Sequence, residues 1–97
     1  MDEATVREDA EAHGRATVEG DLKTAGSYLS KEAYAAAGEV MQKMPQPLEA
    51  SEVTSVEIDG GEAVVQIRYS GGGDEVLVES RWADRDDAPK IVGLRVL

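Results

Sequence analysis

The sequence predicts an α+β domain, with three helices in its N-terminal half packed on a four-stranded antiparallel meander. Three observations carry that prediction. Apolar residues recur about every 3.6 residues as far as Met44 and about every second residue after Ser51. The linker-like stretch, Pro45 to Ala50, sits where the repeat changes. Beyond it, three turn signals divide the chain into four short segments rich in Val and Ile.

The first predicted helix runs from Ala4 to Glu19. Successive side chains lie about 100° apart on a helix, which gathers Val6, Ala10, His13 and Thr17 on one stripe. Arg7, Glu8, Glu11, Arg15 and Glu19 are left for water. Gly20 stops the helix, because glycine adopts the left-handed backbone that closes one, and Asp21 is placed to cap the next. That second helix covers Leu22 to Leu29, with Leu22, Ala25, Tyr28 and Leu29 on its apolar side. Ser30 is placed to cap a third, from Lys31 to Met44, along which Ala33, Ala37, Val40, Met41 and Met44 recur at three- and four-residue spacings. Pro45-Gln46-Pro47 ends it, since proline lacks the N–H and disfavours helical geometry in its predecessor.

The strands are predicted at Val53 to Ile58, Ala63 to Tyr69, Glu75 to Trp82 and Lys90 to Leu97. Asp59-Gly60-Gly61, Gly71-Gly72-Gly73-Asp74 and Asp84 to Pro89 join them. Side chains alternate between the faces of a strand. One face then holds Val56, Ile58, Val65, Ile67, Tyr69, Val76, Val78, Ser80, Trp82, Val92, Leu94 and Val96, and belongs under the helices. The other mixes Glu57, Gln66, Arg68, Glu75, Glu79, Arg81 and Arg95 with Val53, Val64, Leu77, Ile91 and Leu97. That is more apolar than a wet surface, and it predicts a homodimer through the outer sheet face.

Length and composition bound the rest. Ninety-seven residues make a single domain, 1–97, whose thin core contains no Phe, one Trp and three Tyr. Twenty acidic against ten basic residues give a net charge of −10, which repels phosphate backbones and anionic headgroups, so neither nucleic acid nor a membrane is an expected partner. Residues 1 to 21 are acidic, the opposite of a basic export leader, and no apolar run spans a bilayer. With no cysteine, these features lead to the expectation of a cytoplasmic protein. One histidine and no cysteine leave no metal site, and no motif calls for a cofactor.

Ala16-Thr17-Val18-Glu19-Gly20-Asp21-Leu22, Tyr28-Leu29-Ser30-Lys31-Glu32 and the last hairpin, Trp82 to Asp86 leading to Pro89-Lys90-Ile91-Val92, resemble the NTF2-like superfamily in order and spacing. Its relatives include nuclear transport factor 2, the ketosteroid isomerases and the SnoaL-type cyclases. The resemblance implies a strongly curved sheet wrapped around the first helix as a cone, an open end that often holds a small molecule, and a convex face that dimerises. It also implies departures. Where ketosteroid isomerases carry a tyrosine on the first helix, this sequence has His13; no aspartate matches their general base, and Ser80 is the best match to their second acid. Steroid isomerase chemistry is therefore not implied.

The candidate site residues are His13, Tyr28, Tyr34, Tyr69, Ser80 and Trp82. His13 lies on the apolar stripe and titrates near neutral pH, so it is a candidate acid or base; the structural alternative is a buried imidazole tied to a carbonyl or a tyrosine hydroxyl. The tyrosines, Ser80 and Trp82 either supply a pocket's polar contacts and aromatic wall or fill a core short of aromatics. Met41 and Met44 are adaptable fillers on the same terms. Gly71-Gly72-Gly73 links two strands and so cannot cradle phosphate at a helix N-terminus. Two functional readings follow. One is a homodimeric module that holds a small apolar molecule beside His13 or serves a structural role. The other is an isomerase-, cyclase- or hydratase-type enzyme with His13 as acid or base and a tyrosine as hydrogen-bond donor.

Overall fold

The protein, described from Met1 to Leu97 as a computed structural model, opens with helix α1, Glu3–Glu19. Asp2 caps it by accepting from the Thr5 N–H. Gly20 closes it in the left-handed region: the Gly20 N–H reaches Thr17 O and the Asp21 N–H reaches Ala16 O, which satisfies two orphan carbonyls. Asp21 caps α2, Leu22–Ser27, through the Thr24 N–H, as expected. The expected third helix from Lys31 to Met44 is shorter. Ser30 makes no side-chain cap, and Lys31–Ala33 form a tight 3-10 turn before α3, Tyr34–Gln42.

Strands β1 (Ala50–Asp59), β2 (Glu62–Gly71), β3 (Asp74–Arg85) and β4 (Ala88–Val96) form one antiparallel sheet in sequence order. Each is longer than predicted at one end or both, because the connections are two-residue turns: Gly60-Gly61, Gly72-Gly73 and Asp86-Asp87. The last replaces the longer Asp84–Pro89 turn, and both of its aspartates adopt positive φ, which Asp tolerates better than most residues.

Two irregularities overturn part of the face assignment. Pairing on β1 jumps from Val53 opposite Ile67 to Ser55 opposite Gln66, leaving Thr54 as the extra residue. On β4 it jumps from Ile91 opposite Trp82 to Gly93 opposite Arg81, leaving Val92 extra. Each bulge exchanges faces for everything beyond it. Val53 and Ile91, expected outside, therefore lie on the helix side; Ile91 is fully buried. Val92 loses its place in the inner alternation. The outer face keeps Val64, Leu77 and Leu97 among ion pairs: Arg68 with Glu52 and Glu75, Arg81 with Glu62, and Arg95 with Glu79.

The core joins Val6 and Ala10 of α1 to Val65, Ile67 and Tyr69 of β2, Val78 and Trp82 of β3, and Ile91 of β4. Gly14 lets α1 approach β1, since a Cβ there would meet Ser51 Oγ at 2.9 Å. Three contacts fasten the chain after α2 to the far edge of the sheet. The Ser30 N–H donates to Ile91 O and the Ile91 N–H to Tyr28 O, a short parallel bridge. Lys90 Nζ donates to Ser27 O at the C-terminus of α2, where a cation is favoured. Arg85 pairs with Glu32 at 2.8 Å. These contacts set one wall of the cavity described next.

Candidate functional site

A cavity of about 110 Å³ opens between α1, α2, α3 and the inner face of the sheet. α2 and the residues after it present Leu22, Ala25, Gly26 and Leu29; α3 and its end present Ala37, Val40, Met41 and Met44. Each set follows the i, i+3, i+4, i+7 spacing that puts four residues on one helical face. The sheet contributes Tyr69, Val78 and Leu94, and α1 contributes His13 and Thr17. Leu22 is 64% exposed and Met41 39%, so these two mark the mouth.

His13 is buried and shares a hydrogen bond of 3.0 Å between Nδ1 and the Ala25 carbonyl, which ties α1 to α2. A carbonyl only accepts, so the proton sits on Nδ1 and Nε2 is left with its lone pair. Burial lowers the pKa of the ring, with the Ala25 carbonyl opposing, and the imidazole is neutral near pH 7. The rings of Tyr28 and Trp82 stand edge-on to it, with centroids at 6.0 and 6.4 Å. One turn on, the Thr17 hydroxyl donates to His13 O.

Tyr69 supplies the second polar group. It is almost wholly buried, and burial pushes its phenol up to about 12, with the Thr17 hydroxyl working the other way. At neutral pH it is a hydrogen-bond donor and no acid. His13 and Tyr69 both line the cavity, and the rest of its lining is almost wholly apolar. No carboxylate lines it.

The other candidates sit elsewhere. Ser80 and Trp82 satisfy each other, Trp82 Nε1 donating to Ser80 Oγ at 2.9 Å, and both belong to the packed core. Tyr28 packs against His13 and Trp82 without reaching the cavity lining. Tyr34 is 57% exposed, because the 3-10 turn places it at the outer start of α3. Only His13 and Tyr69 of the six line the cavity. Sequence reasoning treated the α2 and α3 stripes as core; their spacing was visible, but their failure to meet was not. No cluster of His, Asp or Glu is arranged to hold a metal ion. No helix is long and apolar enough to cross a membrane.

Helices followed by a four-stranded meander, with a small cavity between the layers, define the NTF2-like fold, and solved structures agree. An NTF2-like protein of unknown function from Shewanella baltica OS155 superposes with a TM-score of 0.72 at 9% identity, covering 97% of this chain and 92% of that one. An NTF2-like protein of unknown function from Burkholderia xenovorans LB400 gives 0.65 at 17% identity, over 97% and 84%. A de novo designed protein with a curved β-sheet gives 0.67 at 17% identity, over 94% and 97%. No protein-family model matches the sequence, and no curated protein is similar to it. The chain has the NTF2-like fold, and its biochemical role must be argued from its own residues, since a designed protein shares the fold.

Proposed function

We propose that the domain binds a small, largely apolar molecule in the cavity beneath His13. The observation that carries this reading is an apolar cavity of about 110 Å³ with an exposed apolar mouth and two unlike hydrogen-bonding groups, His13 and Tyr69, in its lining. Empty apolar cavities of about 150 Å³ stay dry and take up benzene, so this one suits a chain of about four carbons. Titrating hexan-1-ol into 15N-labelled protein tests it. The amides of Ala25, Val40 and Met44 should shift and saturate, and Ala37→Leu, which fills the cavity, should abolish the shifts while leaving the fold intact. Unchanged shifts in Ala37→Leu would place the alcohol elsewhere.

The enzyme reading assigns the same two groups to catalysis, with His13 Nε2 exchanging a proton and Tyr69 donating a hydrogen bond. Its support is that both line one cavity; against it, the His13 ring is held by a backbone carbonyl rather than by a carboxylate. A captured ligand recovered unchanged favours binding, and a transformed one favours the enzyme. Self-association through the outer sheet face belongs to the proposal on narrower footing, because Val64, Leu77 and Leu97 are the apolar residues left there. A cytoplasmic setting accords with the lack of cysteine.

A further inference from the structure

The two edges of the sheet are guarded differently. An edge strand presents unpaired N–H and C=O groups to any chain that reaches it. On β4 that side is closed: the Ser30 N–H donates to Ile91 O and the Ile91 N–H to Tyr28 O, Pro89 has no N–H, and a bulge follows at Val92. On β1 it is open. None of the ten residues of β1 is buried, and its backbone hydrogen bonds run to β2 alone. What guards β1 is the bulge at Thr54 and charge of one sign: Glu52, Glu57 and Asp59, with no Lys or Arg. Two copies of β1 side by side would set acid against acid.

Away from the cavity beneath His13, an open cleft of about 580 Å³ lies between α1 and the start of β1. Val18, Val53 and Ile67 give it apolar surface, and its charged residues are Glu11, Glu19, Glu49 and Glu52 against Arg15. Glu52 is shared with Arg68, and Glu49 accepts from the Gly72 N–H. Glu11 and Glu19 enter no ion pair and stand one turn either side of Arg15. An acidic cleft with apolar surface therefore runs beside the regular, unpaired stretch Ala50–Val53 that ends at the bulge. From this juxtaposition we infer that the β1 edge is a docking site for an extended basic peptide segment. The segment adds a short fifth strand along Ala50–Val53, its backbone pairs with the free groups of β1, and its cationic side chains reach Glu11 and Glu19 across the cleft.

Three peptides test this by titration into 15N-labelled protein at low salt: acetyl-Arg-Val-Arg-Val-Arg-amide, its counterpart with Glu in place of each Arg, and the basic peptide with N-methylated valines. The basic peptide should shift the amides of Val18, Ser51, Glu52 and Val53 and slow hydrogen exchange at the free amides of Ala50–Val53. The acidic peptide should leave the spectrum unchanged, and the N-methylated one, which keeps the charge but loses donors, should give no exchange protection. Glu11→Gln with Glu19→Gln, both on the exposed side of α1, should weaken the basic peptide by about threefold per charge removed, and added salt should do the same. Equal binding of the acidic peptide, equal protection by the N-methylated one, or shifts confined to other strands would overturn the inference. So would slow exchange at Ala50–Val53 before any peptide is added, since a second copy would then hold that edge.

Discussion

His13 carries more consequences than any other side chain. Its folded pKa lies below the unfolded value of 6.5, so the unfolded chain binds the proton more readily. Its contribution is complete above about pH 6.5 and is lost as pH falls below that value. Urea unfolding of the wild type should therefore show a loss between pH 7 and 5 that His13→Gln lacks, so the wild type's advantage over the variant is greatest near pH 7 and narrows toward pH 5; parallel curves would mean that the ring is solvated. The sequence made His13 legible because a single imidazole stood on an apolar stripe. Tyr69 was legible for the same reason, through alternation on its strand. Ser80 and Trp82 were not, since their polar atoms are consumed by each other, an arrangement that depends on the indole's direction within the core. Tyr34 lies off the stripe of Ala37, Val40, Met41 and Met44, at the exposed start of α3, and its residue type alone did not reveal that.

The change of repeat placed every helix and strand within a few residues, since burial on one face imposes periodicity that backbone geometry makes readable. The bulges at Thr54 and Val92 left no such mark. One unpaired residue leaves composition unchanged, yet it moves Val53 and Ile91 across the sheet. The triple glycine meets two demands. Gly72 and Gly73 take positive φ in the turn, whereas a Cβ on Gly71 would stand 1.9 Å from the Pro47 carbonyl oxygen. That obstacle is backbone, which cannot swing aside. Gly71→Ala should destabilise by about 2 kcal/mol or more, and Gly61→Ala, with open space around it, by less than about 1 kcal/mol. Equal midpoints in urea for the two variants would show that the 45–49 segment does not pack where it is described.

Across the molecule, folding segregates both polarity and charge in ways that composition alone does not disclose. The outer-face homodimer inferred from alternation now depends on Leu77, with Val64 and Leu97, set among cross-strand ion pairs. Light scattering should give a mass that rises with concentration from 10.4 kDa toward twice that value, and Leu77→Glu should hold it at 10.4 kDa. A wild-type mass fixed at 10.4 kDa would exclude the dimer. The fold was legible because it follows from layers and turns; the cavity was not, because it is the space left where two apolar helical faces and a sheet fail to close. Crystals pressurised with xenon test that space most directly, since xenon enters dry apolar cavities. A xenon atom should appear among His13, Tyr69, Val78 and Met44 without movement of the helices. Methionine side chains filling that volume, with no xenon bound, would contradict it.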